Sequence, residues 1–301
     1  MTKKQRCGFF IGIGGIFVAS LIIVLIFIQN HNSAKSFDQR MEDHLEVREL
    51  AKRNNVTFRE GLNMAQVAEI IAENTFHTTE DVFAVLKDKE YIQKQIETYW
   101  FLSDEITNES IYYPLEGYLF PETYQISDKE MAIEDIFTMM LDHTGVVLEK
   151  YKDQIQESGH TVHEILTLAS IVELESGKLE DRKNIASVFY NRMAINMELG
   201  SDVTTYYGAQ VNMGDRDLMV SELNEVNGYN TRDKTRGGTL PVGAICNPSE
   251  ESINCTLNAP NTKNLYFVGD KNGDCYFTET EEAHEAMIQH LQDSGLWYYY
   301  E

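Results

Sequence analysis

The sequence of 301 residues is 43% hydrophobic and carries 48 acidic against 25 basic side chains, a formal net charge of −23. That apolar content is enough for one large or two modest cored domains and excludes a disordered chain. The acidic surplus repels a phosphate backbone, and no basic stripe or zinc spacing offsets it, which excludes nucleic acid as a partner.

The first element in chain order is apolar. From Gly8 to Ile28 the run GFFIGIGGIFVASLIIVLIFI holds no charge. At about 1.5 Å per residue it is long enough for a hydrocarbon core of about 30 Å, and it predicts a transmembrane helix. Lys3, Lys4 and Arg6 place residues 1–7 in the cytoplasm and everything after Asn30 across the membrane. A cleaved signal peptide would be shorter and would end at a small-residue site, for which IQNHNSAKSF is a poor match. Residues 29–45 read as a polar linker.

Between residues 46 and 94 a β-compatible stretch at Val56, Thr57 and Phe58 precedes a helix with Ala65, Ala68, Ile71 and Ala72 on one face. Thr78, ahead of Glu80 and Asp81, is an N-cap signal for a second helix running to Leu86. Such a segment makes a small α/β module. In the larger remainder, 95–301, residues 131–158 and 161–197 read as helices interrupted at Ser158-Gly159 and Ser176-Gly177. After Gly200 the chain turns to short segments. One hairpin stands out, Leu265 to Val268 and Cys275 to Thr278 around an Asn272-Gly273 turn. The whole is α+β. Of the cysteines, Cys7 lies beside the membrane run, and Cys246, Cys255 and Cys275 form an odd set in which a Cys246 to Cys255 bridge is one option.

The stretch ILTLASIVELESG, Ile165 to Gly177, is apolar almost all the way round, the mark of a buried helix, yet it ends in two carboxylates. Glu173 and Glu175 lie about 200° apart around the axis, so one cleft can receive only one of them. Glu175 shares its face with Leu168, Ile171 and Val172, apolar neighbours that raise a carboxyl pKa toward neutrality, as a general acid requires. Glu173, near Ala169, Ser170 and Ser176, is expected to stay ionised and structural. Lys178, one turn beyond Glu175, is expected to act the other way, favouring the charged form of the acid.

Four segments are rich in side chains that can hold an uncharged sugar ring through stacking faces and neutral hydrogen-bonding groups. Leu115 to Tyr124 offers Glu116, Tyr118 and Phe120; Gly200 to Gly208 offers Asp202, Thr204 and Tyr207. Tyr229, Asn230 and Thr231 form the third, and Leu240 to Ser249 offers Pro241 and Asn247.

These runs together resemble the endolytic murein transglycosylases, the YceG-like or MltG-type family of bacteria. The likeness extends in order from Val56 to His284 through EGYLFPETY, LASIVELE, SVFYNRM, SDVTTYYG, YNT, LPVGAICNP and NLYFVGDKNG. It implies a LysM-like subdomain at 46–94 and a catalytic domain at 95–301. It puts the essential glutamate at Glu175, followed by Ser176 as a substrate contact. Peptidoglycan glycan strands are the implied substrate, with membrane lipid around the anchor and peptidoglycan synthases as partners. No metal or nucleotide cofactor is implied, and no HExxH, P-loop or GxGxxG occurs. The family pattern is broken at Val203, where a proline is usual, at Val242, where a second proline is usual, and at Arg232, where an aromatic is usual.

The chemistry implied uses one carboxylate. Glu175 protonates the oxygen between MurNAc and GlcNAc, and the MurNAc 6-hydroxyl closes a 1,6-anhydro ring without water. A hydrolase using Glu116, Glu122 or Asp202 as second carboxylate is the enzymatic alternative. A non-catalytic wall-binding protein is the other.

Overall fold

In the computed structural model, which describes residues 55–297, the chain opens with a short strand, β1 (Asn55–Thr57). The expected cytoplasmic tail, transmembrane helix and linker, and the start of the LysM-like segment, lie outside the described residues. Among the described residues no helix is long and apolar enough to cross a membrane.

Three helices follow, α1 (Met64–Asn74), α2 (Thr79–Lys87) and α3 (Lys89–Thr98). Asn63 and Gln66 close a reciprocal capping box at the head of α1, and Thr78 and Asp81 close another on α2, satisfying N–H groups that a helix start leaves unpaired. The buried face of α1 is Met64, Val67, Ala68 and Ile71, so the larger side chains take the core while Ala65 and Ala72 stand at its edge. α3 was not expected from the sequence pattern, because a polar residue, Gln95, shares its buried face with Ile92. The partner of β1 is β2 (Thr123–Gln125), and the Phe58 N–H donates to the Glu122 carbonyl at 3.0 Å beside the pair. This sheet therefore bridges the expected boundary at residue 94.

The predicted helix 131–158 is two, α4 (Ile133–Glu149) and α5 (Lys152–Ser158), parted at Tyr151. There the backbone leaves helical geometry (φ −111°, ψ 1°) and the hydroxyl reaches Glu250 at 3.1 Å. α6 (Val162–Glu175) and α7 (Leu179–Ala194) part at Ser176-Gly177, as expected. Then come α8 (Asp202–Gly208), α9 (Val220–Leu223) and α10 (Glu250–Leu257). The antiparallel hairpin β3 (Tyr266–Gly269) and β4 (Cys275–Thr278) sets Phe267 opposite Phe277, and α11 (Glu281–Asp293) packs on it. Its turn closes because the Asp270 carboxylate accepts from the Asn272 and Asp274 N–H groups at 2.8 and 2.9 Å while Gly273 takes φ +74°. The described residues form a helix-rich α+β fold with two small sheets.

Why α6 is apolar on every side follows from its neighbours. Ile165, Leu166 and Ala169 enter one apolar cluster with α1, α4 and Leu115 to Leu119. Leu168, Ile171 and Val172 enter a second with Ile185, Phe189, Val203, Tyr207 and Ile245. Each large aliphatic side chain buried there contributes roughly 1.5–3 kcal/mol, which fixes α6 as the shared wall of both. Gly117 (φ +85°) lets the EGYLF turn lie close against the Leu240 to Ser249 segment, since a Cβ there would lie 2.3 Å from that of Ala244. Cys246 and Cys255 are separate free thiols rather than a bridge. Cys246 faces the Ser170 carbonyl on α6 at 3.3 Å, and Cys255 faces the Leu179 carbonyl at the head of α7 at 3.8 Å.

Candidate active site

Glu175 is the last residue of α6, half-buried, with its Oε1 accepting from the Ser201 hydroxyl at 2.5 Å. Burial pushes this carboxyl up to about 7 against an ordinary 4.5; the Ser201 hydrogen bond opposes the rise, Asp202 adds to it, and Arg192 and Arg232 oppose it. The carbonyl end of the α6 dipole also disfavours a negative charge at this position. Lys178, expected to act on Glu175, is turned away and pairs with Asp274.

Glu173 points elsewhere. Its Oε1 takes the Arg182 Nη2 at 2.8 Å, and its Oε2 accepts from the Ser249 N–H and hydroxyl at 2.9 and 2.5 Å. Arg182 also donates from Nε to the Ser176 carbonyl at 2.7 Å, tying down the end of α6. The two glutamates thus occupy unlike surroundings, one an ion pair and the other a carboxyl held by a neutral hydroxyl.

Ser201 is positioned by the YNT segment. Its N–H donates to Thr231 Oγ1 at 3.0 Å, and Thr204 bonds both the Ser201 carbonyl and Thr231 at 2.8 Å. Asn230 Oδ1 accepts from Thr205 and from the Arg232 N–H, while its amide donates to the Leu223 and Glu225 carbonyls. Thr204, Tyr229, Asn230 and Thr231 are all at most 1% exposed, so they build the wall behind the site. Arg192, unforeseen in the sequence, lies half-buried with Nε on the Leu265 carbonyl and Nη1 on the Leu199 carbonyl, its charge felt at Glu175.

The EGYLF residues are also largely enclosed. The Tyr118 hydroxyl meets His163 Nδ1 at 2.9 Å, and the Phe120 ring packs on His143. Asn247 accepts from the Leu119 N–H and donates to the Leu62 carbonyl; Pro241 is buried nearby in sequence. Ser176 is buried and caps its own turn through the Lys178 N–H at 3.0 Å. Asp202 and Arg232 are the candidates and neighbours left open beside Glu175, joined Oδ1 to Nε at 2.5 Å. Ser201, Arg182 and Arg192 were missed because a serine at a helix start and two arginines within helices carry no pattern until their partners are known.

Glu116 is a second carboxyl out of the ordinary. Buried at 3% exposure, it accepts from the Met64 N–H at 2.8 Å and the Tyr207 hydroxyl at 2.9 Å, and burial pushes it up to about 8 from 4.5. Its raised folded-state value means that the stability it contributes is full below about 4.5 and is lost as pH rises to about 8. Glu175 acts with the same sign. Glu116→Gln should therefore flatten the fall in Tm between pH 5 and 8, followed by thermal melts; a profile parallel to wild type would contradict the burial argument.

A cavity of about 540 Å³ between Phe83, Lys87, Tyr112 and Tyr113 does not include Glu175. Among the described residues no three His, Cys, Asp or Glu side chains converge as metal ligands.

Compared with known proteins, residues 27–290 match the model of the YceG-like family. The chain is 36% identical over 230 residues to a Bacillus subtilis protein named endolytic murein transglycosylase, covering 76% of this chain and 62% of that one. A Streptococcus pneumoniae protein of the same name is 32% identical over 253 residues, covering 80% and 45%. The chain thus spans 62% and 45% of these relatives' length, less than two thirds of either. The crystal structure of a yceG-like protein from Listeria monocytogenes superposes with a TM-score of 0.73 at 33% identity, covering 78% of this chain and 76% of that one.

Proposed function

We propose that this chain, which belongs to the YceG-like family, is a lytic transglycosylase that cuts the MurNAc-β-1,4-GlcNAc bond of peptidoglycan strands. The observation that carries the reading is the Glu175 carboxyl at the end of α6, gripped by Ser201 on Oε1 and pushed by burial up to about 7. That grip leaves Oε2 to present the acid proton. Glu175 gives this proton to the glycosidic oxygen as the C1–O bond breaks. The MurNAc C6 oxygen then bonds to C1, and its proton returns to Glu175, so no water or net proton is consumed. Between the two transfers Arg192 and Arg232 stabilise the carboxylate. The internal hydroxyl replaces a second catalytic group through its effective concentration.

Thr204, Tyr229, Asn230 and Thr231 serve this reading as the support of Ser201, and Glu116, Tyr118, Phe120, Tyr207, Pro241 and Asn247 as the frame that seats α6. Ser176 and Asp202 flank the reacting sugar. We further assign residues 8–28 to a single-pass plasma-membrane helix, 46–94 to a LysM-like subdomain and 95–301 to the catalytic domain. The uncharged run and the ordered sequence likeness support this.

A hydrolytic variant would use Asp202, the carboxylate that adjoins Glu175; Glu116 is buried and Glu122 stands at the head of β2. Mass spectrometry of digests of uncrosslinked strands separates the two. Anhydro ends lighter by one water are expected, and reducing ends carrying an added water would establish hydrolysis.

A further inference from the structure

Val203, Val242 and Arg232, which the resemblance singles out in the sequence, stand in different surroundings. Val203 is buried at 6% exposure in the second apolar cluster. Val242 packs against Gly228, and its carbonyl meets His163 Nε2 at 2.8 Å. Arg232 is open, its side chain 40% exposed, and stands close enough to Glu175 and Arg192 for its charge to be felt at both.

Two contacts hold Arg232 in place. Its N–H donates to Asn230 Oδ1 at 3.0 Å, and its Nε donates to Asp202 Oδ1 at 2.5 Å. Among the described residues neither Nη nitrogen has a hydrogen-bond partner. A guanidinium gripped at Nε offers its two Nη groups as a parallel fork, and that fork matches a carboxylate. Hydroxyl and acetamide groups of a neutral sugar need no such cation. In a chain of net charge −23, an exposed arginine beside the candidate acid is a local feature that would admit an anionic ligand.

We infer that Arg232 is a specificity-determining residue that binds a carboxylate carried by the substrate near the bond to be cut, with Asp202 as its positioning partner. The identity of the ligand, an anionic amino-sugar strand, rests on the transglycosylase reading. Its carboxylate has two sources, the lactyl group of peptide-free strands and the stem peptide of substituted ones.

The test uses the full chain in detergent with peptide-free strands, peptide-bearing strands, and each of these with carboxylates capped as methylamides. Wild type should favour a carboxylate form over its capped counterpart by about tenfold in kcat/KM, chiefly through KM, the scale of a part-exposed charged hydrogen bond. Whichever strand gives the preference identifies the source. Arg232→Gln should remove the preference, and Arg232→Lys should keep part of it, lacking the fork. Binding of the same strands to the Glu175→Gln chain should repeat the ranking without turnover. An equal loss on capped and uncapped strands, or a shifted pH profile with no carboxylate preference, would overturn the inference. If wild type cut all strands equally, Arg232 would lose its role and the reading of Glu175 would stand. If it cut none yet bound with the preference, the transglycosylase reading would fall and Arg232 would keep its role.

Discussion

Glu175→Gln should lower turnover of glycan strands by at least about 10²- to 10⁴-fold, the usual contribution of a general acid and base, with little change in Tm. The amide keeps the Ser201 hydrogen bond, since its oxygen still accepts on the Oε1 side, but its nitrogen carries no transferable acid proton. The loss should fall on kcat and kcat/KM together, because the proton moves in the transition state. In wild type, kcat/KM should fall as pH rises through about 7, the range to which burial raises Glu175. The acid is the protonated form, so the active fraction is lost above that value rather than below it. Glu173→Gln is the control. It disturbs the Arg182 ion pair on another side of α6 and should retain far more activity per folded molecule. A dead Glu173→Gln beside an active Glu175→Gln, at equal stability, would move the catalytic face to Ala169, Ser170 and Glu173.

That Glu173 and Glu175 face different surroundings was legible in the sequence because it depends on helix geometry. Two residues apart on an apolar helix must face different surroundings, and the apolar company of Glu175 follows from spacing alone. The break at Ser176-Gly177, the Thr78 cap and the 265–278 hairpin were readable for the same reason, since local chemistry decides each. What was not legible depends on contacts between segments far apart in sequence. The grip of Ser201 on Glu175 spans 26 positions, and that of Ser249 on Glu173 spans 76. Lys178 looked like a partner of Glu175 by helical spacing, but the helix ends first and the lysine finds Asp274. Tyrosines and asparagines read as sugar contacts proved to be enclosed, because a buried hydroxyl or amide with paired partners has the same composition as an exposed one.

Arg182→Ala should destabilise the fold by about 3 kcal/mol, the lower end of the cost of stranding one partner of a buried ion pair. Both side chains are enclosed, 13% and 6% exposed, so solvent does little to screen the charge left on Glu173. The lower end applies because Glu173 keeps the two donors of Ser249. The change also removes the Arg182 bond to the Ser176 carbonyl, one of the groups a helix end leaves unpaired. For a chain of this size the expected fall in Tm is about 6–12 °C by calorimetry. Adding Glu173→Leu to Arg182→Ala should recover part of the loss, since an apolar pair no longer strands a charge; further loss on adding it would contradict the ion-pair account. Catalysis separates this role from that of Glu175. Arg182 is not among the charges acting on Glu175, so below its melting range Arg182→Ala should keep the wild-type inflection near pH 7. A shifted inflection would mean that Arg182 sets the proton affinity of the acid as well as the position of the helix end that carries it.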